Sequence, residues 1–319
     1  MRGSVSPKLE PFLAQVNEAI ANAKAQGIGY TPQATRDGLN NLAGLMADGP
    51  DIASVSDVYL PNYETQVRVR IYNPAPDKAL PVLLHFHGGG HMCGSIELYD
   101  PISRELAKHC QAIVMCIDYR LAPEYLYPQG LNDCQYLLEN FAELLDGHQF
   151  TDTLYIAGDS AGGAICTSLV ANNLDNKAVT IDKQILVYPS VDYTMSFPSC
   201  QENGEGFLLE MAKVEWYFEQ YFSDDNDNDN DNDKLAIAQK ASPLLQNFAD
   251  NMPPTLVITA GCDPLRDEGC AYAKKLTQHG VSVLHHQFDS MIHAYMLIND
   301  LVAEEYQQTF NLIKEFTSK

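Results

Sequence analysis

The chain has few positive charges, a single tryptophan and no long apolar run. Its 319 residues include 20 lysines and arginines against 42 aspartates and glutamates, which gives a formal net charge of −22 at pH 7. So acidic a chain is not expected to bind nucleic acid or an anionic membrane surface, because both repel it. No apolar stretch approaches the roughly 20 residues of a spanning helix, so no membrane span is expected.

Paired cysteine motifs are also missing, although the chain has eight cysteines. None belongs to a C-x-x-C motif, and several, such as Cys116 and Cys166, lie inside apolar patterns. Scattered buried thiols predict a cytoplasmic location without a disulfide framework or a zinc site. The first residues, Met1-Arg2-Gly3-Ser4, resemble an expression-vector leader rather than a secretory signal, which leaves open that a signal was removed.

Short apolar segments alternate with helical patterns along most of the chain. This alternation predicts an α/β protein with a mostly parallel sheet covered by helices on both faces. The predicted strands are 66–72, 82–86, 112–117, 154–157, 185–188, 256–259 and 281–284, and the predicted helices are 101–109, 130–145, 164–173, 268–279 and 303–316.

Two regions depart from this alternation. Residues 8–47 are predicted to form two helices that break at Thr31-Pro32, and about 67 residues before Leu256 contain no clear strand. In the second region an apolar, mostly aromatic set recurs at helical spacing, which indicates either core packing or a helical cap. This set comprises Phe207, Met211, Val214, Phe218 and Tyr221.

We therefore expect three parts in the chain. Residues 1–48 supply helices to the cap, 49–193 and 241–319 form the catalytic core, and 194–240 form a cap insertion. Within that insertion, Phe207, Met211 and Trp216 are the candidate substrate-binding residues. Residues 224–233 alternate aspartate and asparagine but lack the glycine and final glutamate of a calcium loop, so they predict a hydrated surface loop.

The residues Gly158-Asp159-Ser160-Ala161-Gly162 follow one apolar strand and precede a helical pattern. This G-x-S-x-G spacing is typical of a nucleophile elbow, a strained turn that exposes a serine Oγ at a helix N-terminus. The helix dipole there favours developing negative charge. The alternative is a tight turn whose serine only caps the helix.

A serine nucleophile needs a histidine base and an orienting acid, which follow it in that order in such a fold. Asp263 lies just after the predicted strand 256–259, and His293 follows the last predicted strand. Asp267 is the competing acid, which we interpret as a helix-start residue. Together Ser160, Asp263 and His293 predict a catalytic triad.

A run of three glycines follows the second predicted strand, in Phe86-His87-Gly88-Gly89-Gly90. Its position after an early strand is that of the loop that completes an oxyanion hole. His85 and His87 have the H-x-H spacing of a metal site, and His91 lies nearby in the sequence. No carboxylate ligand accompanies these histidines. We therefore expect no metal ion and no cofactor.

These motifs together resemble the hormone-sensitive-lipase-like esterase family, over roughly residues 60–319. Further matching segments are Tyr119 to Glu124, Tyr127-Pro128, Ser242 to Leu244 and Asp263 to Glu268. The resemblance implies an α/β-hydrolase core with a helical cap and hydrolysis of short- to medium-chain carboxylic esters. It also implies an oxyanion hole made by Gly88, Gly89 and Ala161. Ala294 stands where the family usually has glycine.

The expected partner is a small-molecule ester, and family members are often homodimers. Two alternatives stay open. The same triad could serve an amidase, a lactonase or a deacetylase, because pocket contacts rather than the triad set the substrate. A non-catalytic small-molecule receptor, such as the plant gibberellin receptor that resembles this family, is expected to have a damaged triad.

Overall fold

The computed structural model describes residues 1–174, 179–222 and 231–319. Within them, eight strands form one sheet in the order β1-β2-β4-β3-β5-β6-β7-β8. β2 pairs antiparallel with both β1 and β4, and every other pairing is parallel, so the predicted mostly parallel α/β sheet is confirmed. The strands are β1 (Ser54–Tyr59), β2 (Arg68–Asn73), β3 (Leu80–Phe86), β4 (Ile113–Ile117), β5 (Phe150–Asp159), β6 (Lys183–Val187), β7 (Thr255–Cys262) and β8 (Val283–Ile292).

Only β1 was not predicted as a strand from the sequence. It is an edge strand whose residues are exposed or half-buried, and it contains two serines and an aspartate. Strand prediction relies on buried apolar residues, and this segment has almost none.

Helices cover both faces of the sheet. Alternate residues of a strand point to opposite faces, so Leu83 of β3 belongs to one core and Val82 and Leu84 to the other. The first core includes α3 and α10, and the second includes α4, α5 and α9. These helices are α3 (Ile96–Cys110), α4 (Gln129–Leu144), α5 (Ala161–Asn173), α9 (Arg266–Gln278) and α10 (Ala303–Thr317).

The N-terminal segment forms the two predicted helices, α1 (Glu10–Ala25) and α2 (Pro32–Asn40), followed by a 3₁₀ turn (Asn41–Leu45). The predicted break at Thr31 is an N-cap, because the Thr31 hydroxyl accepts a hydrogen bond from the Ala34 N–H at 3.2 Å. Leu9 and Leu13 are buried in the first core, which ties this segment to the body of the protein.

Between β6 and β7 lie α6 (Pro198–Glu202), α7 (Met211–Phe222) and α8 (Asp231–Ala241). The buried face of α7 carries Val214, Tyr217, Phe218 and Tyr221. The sequence placed Phe207 on this helix, which is wrong. Gly206 and Leu208 have φ angles of 81° and 74°, and this left-handed backbone cannot continue into a right-handed helix.

The acidic run lies partly outside the described residues, which omit 223–230. From Asp231 onward the backbone is helical, so the predicted loop is wrong for the last residues of the run. In the described part of the chain, no helix combines the length and the hydropathy that a bilayer crossing requires.

Candidate active site

The turn between β5 and α5 presents Ser160. β5 ends at Asp159, α5 begins at Ala161, and Ser160 between them has a φ of 50° and a ψ of −119°. This strained backbone places the serine at the N-terminus of α5. A Cβ added at Gly162 would overlap the Phe86 carbonyl, so only glycine allows the turn to approach β3 this closely.

A chain of hydrogen bonds joins the three predicted triad residues. His293 Nε2 lies 2.9 Å from Ser160 Oγ, and His293 Nδ1 lies 2.8 Å from Asp263 Oδ2. The other Asp263 oxygen accepts a hydrogen bond from the Leu265 N–H at 2.8 Å, which fixes the carboxylate in the turn after β7. Asp263 and His293 are both buried, and Ser160 is half-buried.

This geometry suits proton transfer from the serine. The histidine lies within hydrogen-bond reach of the hydroxyl, and the carboxylate holds the imidazole in orientation. The competing acid, Asp267, points elsewhere. Its carboxylate accepts hydrogen bonds from the Ser199 N–H at 3.0 Å and from Arg266 Nε at 2.7 Å.

The glycine loop after β3 lies beside Ser160, but the glycines that line the cavity are one position further along the chain than predicted. The Gly88 N–H donates to Asp159 Oδ1 at 2.8 Å, so it is not available to an oxyanion, and naming it as a donor is wrong. Gly89, Gly90 and Ala161 line the cavity above Ser160 instead. Gly89 and Gly90 have φ angles of 120° and 62°, which favour glycine at both positions.

Ser160 opens into a cavity, in which the centres of water molecules have a volume of about 120 Å³ available to them. Its walls come from the turn at Ser160, from the glycine loop, from the end of the N-terminal segment and from α7. Most of the wall is apolar, and α7 contributes one lysine. The lining includes Gly38, Leu39, Leu42, Leu208, Leu209, Lys213, Val214, Tyr217, Phe218, Leu265, Ala294 and Leu297.

Comparisons with known proteins agree with this site. A family model described as the α/β-hydrolase fold matches residues 83–297, which include all three triad residues. The chain belongs to this family. An ethyl acetate hydrolase from Pseudomonas putida is 33% identical over 81% of this chain and 80% of its own length. An arylesterase from Saccharolobus solfataricus is 32% identical over 84% of this chain and 85% of its own length.

A solved esterase structure has the same fold. The hyperthermophilic esterase from Pyrobaculum calidifontis superposes with a TM-score of 0.84 at 29% identity, covering 99% of this chain and 98% of that one. The resemblance to the hormone-sensitive-lipase-like carboxylesterases is therefore confirmed.

The three predicted substrate-binding residues of this α/β hydrolase lie outside the cavity beside Ser160. The buried ring of Phe207 packs under the Arg2 guanidinium, at 4.3 Å from its centroid. The Trp216 ring lies 5.5 Å from that of Tyr30, and Met211 lines a separate surface depression.

Helical geometry explains the correction for Trp216. Residues three or four apart share a helix face, so Val214, Tyr217 and Phe218 point into the cavity while Trp216 points away from it. The sequence contained this signal, because the apolar repeat of α7 includes Val214 and Phe218 but not Trp216.

Asp159, which precedes the nucleophile, connects the turn to the glycine loop. Besides the Gly88 N–H, it accepts a hydrogen bond from the Tyr99 hydroxyl at 3.1 Å. Burial raises the pKa of Asp159 to about 6, although both hydrogen bonds and the nearby His293 work in the opposite direction. No sequence pattern indicated a role for Asp159.

Each of the three histidines around the glycine loop pairs with or stacks on a different side chain. His85 Nδ1 pairs with the Ser103 hydroxyl at 2.9 Å, His87 stacks on Tyr119, and His91 Nε2 pairs with the Tyr193 hydroxyl at 2.9 Å. Among the described residues, no group of three or more potential ligands could hold a metal ion. The contacts of these histidines hold the glycine loop and the end of β3 against neighbouring segments.

Proposed function

We propose that this carboxylic ester hydrolase cleaves short- to medium-chain acyl esters through an acyl-enzyme on Ser160. The observation that carries the proposal is the unbroken hydrogen-bond chain from Asp263 through His293 to Ser160. Such a chain supplies the base and the orientation that a weak hydroxyl nucleophile needs. A receptor would have no need of it.

In the proposed mechanism, Ser160 Oγ attacks the ester carbonyl carbon while His293 Nε2 accepts its proton. The N–H groups of Gly89, Gly90 and Ala161 face the negative oxygen of the tetrahedral intermediate. His293 then protonates the departing alcohol, which leaves the acyl group on Ser160. A water molecule, deprotonated by the same histidine, releases the carboxylic acid.

The cavity supports the proposed chain length. Its apolar lining favours the acyl or alcohol hydrocarbon of the substrate, and its walls enclose a limited space. The relative from Pseudomonas putida is named for ethyl acetate, a short-chain ester. Activity should therefore peak in the short acyl range and fall toward dodecanoyl.

The decisive test replaces Ser160 with alanine and measures hydrolysis of p-nitrophenyl esters from acetyl to dodecanoyl. We expect kcat to fall by several orders of magnitude, because the nucleophile is lost while the oxyanion donors remain. Ser190→Ala is the matched control. Ser190 lines the same cavity and its Oγ has no hydrogen-bond partner among the described residues, so this variant should retain most activity. Wild-type rates in Ser160→Ala would refute the proposal.

We also propose a homodimer and a cytoplasmic location. Among the described residues β8 pairs only with β7, and an edge strand offers unpaired backbone groups to a second copy. The eight cysteines are all free, which suits a reducing compartment.

A further inference from the structure

A lysine lines the cavity into which Ser160 opens. Lys213 lies in the first turn of α7, on the cap side of this otherwise apolar wall. Its Nζ lies 5.7 Å from the centroid of the Tyr217 ring, a favourable cation–π distance. No carboxylate of the described part of the chain comes within 4 Å of this Nζ.

The acid one helical turn before Lys213 is already paired. Glu210 accepts a hydrogen bond from Lys24 at 2.9 Å, and this ion pair ties α1 to the start of α7. The remaining titratable groups near Lys213 are Cys93 and Tyr217, both of which are uncharged at neutral pH because burial raises the pKa of each. Among the described residues no acid forms an ion pair with Lys213, and Glu210, which is paired with Lys24, acts on it only at longer range.

One aromatic ring connects the lysine to the glycine loop beside Ser160. Tyr217 packs directly against the glycine loop, since a Cβ at Gly90 would lie 2.8 Å from the Tyr217 ring. Lys213 lies on the same ring, so one aromatic side chain links the ammonium to the oxyanion loop. Asp159 and His293 line the cavity at its serine end, which leaves the positive charge at the cap end.

We propose that Lys213 is a specificity-determining residue that selects esters carrying a carboxylate group at a distance from the ester bond. This inference rests on the proposed function, since it names a substrate class for the same site. The carboxylate would accept hydrogen bonds from the ammonium while the ester carbonyl lies at Ser160. The rest of the substrate would lie along the Tyr217 ring and the apolar wall.

Two physical arguments support this preference. Burial removes water from the Lys213 ammonium and lowers its pKa, although the nearby Glu210 acts in the opposite direction. A bound carboxylate relieves that penalty, so binding an anionic ester is favoured over binding a neutral one of equal size. The overall charge of −22 acts weakly against this, since fields beyond roughly 8 Å are screened at physiological ionic strength.

The test compares two matched ester pairs in the wild type, Lys213→Met and Lys213→Arg. The first pair is mono-p-nitrophenyl glutarate and p-nitrophenyl valerate, which places the carboxylate on the acyl side. The second is the butyrate ester of 4-hydroxybenzoate and phenyl butyrate, which places it on the alcohol side. The readout is the ratio of kcat/KM for the anionic ester to that for its neutral match.

We expect the wild type to favour the anionic ester in at least one pair, and Lys213→Met to lower that ratio by about 10- to 100-fold. Lys213→Arg keeps the positive charge and should retain most of the wild-type ratio. Lys240→Met is the control, because it removes one positive charge from an exposed position of the neighbouring helix α8. It should leave the ratio unchanged.

Both values in a ratio are measured on the same variant. Partial misfolding lowers both by the same factor and therefore leaves their ratio unchanged. The proposal is overturned if wild-type enzyme prefers the neutral ester in both pairs, or if Lys213→Met leaves the ratio unchanged. The proposed function fails separately, when the wild type hydrolyses none of the four esters.

Discussion

Two adjacent residues at the end of β5, Asp159 and Ser160, have different roles. Ser160 holds a φ of 50°, an unfavourable value for a residue with a Cβ, and its Oγ thereby reaches His293. Asp159, one position earlier, holds the glycine loop through the Gly88 N–H. Adjacent residues thus present the serine hydroxyl and fix the glycine loop beside it.

Asp159→Ala should lower kcat by about 100-fold, since a small misplacement of catalytic groups costs a factor of that order. An alanine has no acceptor, so it holds neither the Gly88 N–H nor the Tyr99 hydroxyl. Steady-state kinetics with a short p-nitrophenyl ester measure the effect, and KM should change little. Tyr99→Phe removes only one of the two donors and should lose less activity. Equal losses in the two variants would contradict this role for Asp159.

At the scale of elements, the cavity is closed by segments from distant parts of the chain. α2 and the 3₁₀ turn after it contribute Gly38, Leu39 and Leu42, while α7 contributes the opposite wall. α2 is attached to the core by Arg36, whose guanidinium donates to the Met92 carbonyl at 2.9 Å and to the Ala122 carbonyl at 2.8 Å.

Arg36→Met should raise KM by about 10-fold with little change in kcat, because it loosens a binding wall without touching the reacting groups. The measurement is the kcat and KM of the variant with a butyrate ester. Glu124→Gln is the control, since it weakens only the exposed ion pair of Arg36 and leaves both carbonyl contacts in place. A fall in kcat at unchanged KM would show that α2 acts on the chemistry instead.

For the whole molecule, buried histidines link stability to pH. Burial lowers the pKa of His85 to about 3, against an ordinary value of 6.5. Below pH 6.5 the unfolded chain binds a proton at this position while the folded protein does not. The free energy of unfolding therefore falls as the pH decreases toward 3, by about 1.4 kcal/mol per pH unit for this one group.

His85→Asn should remove that slope while keeping a polar partner for Ser103. Urea unfolding of both proteins at pH 7.5, 6 and 5 gives the comparison. The wild type should be the more stable at pH 7.5, and its advantage should shrink as the pH falls. Parallel curves would mean that His85 does not remain neutral in the folded protein. The buried Asp159 acts in the opposite direction below pH 6 in both proteins, so it cancels in the difference.

Much of the fold follows from local patterns. The alternation of apolar strands and helical segments predicted the parallel sheet, because a strand buried on both faces must be apolar throughout. β1 could not be predicted in this way, since its residues are largely exposed at the edge of the sheet. The end of the acidic run was misassigned for a related reason, because composition indicates solvation but not backbone conformation.

The sequence by itself determined which residues are candidates for chemistry. A strained serine turn needs small neighbours, and its acid and base follow strand ends, so Ser160, Asp263 and His293 could be named from spacing and order. Tertiary structure alone decided which glycines and which side chains of α7 line the cavity. The Gly88 N–H is bound by Asp159, which is 71 residues away, and the rotation of α7 places Lys213 and Tyr217 at the cavity in place of Trp216. Such contacts depend on how distant segments pack, which no local pattern records.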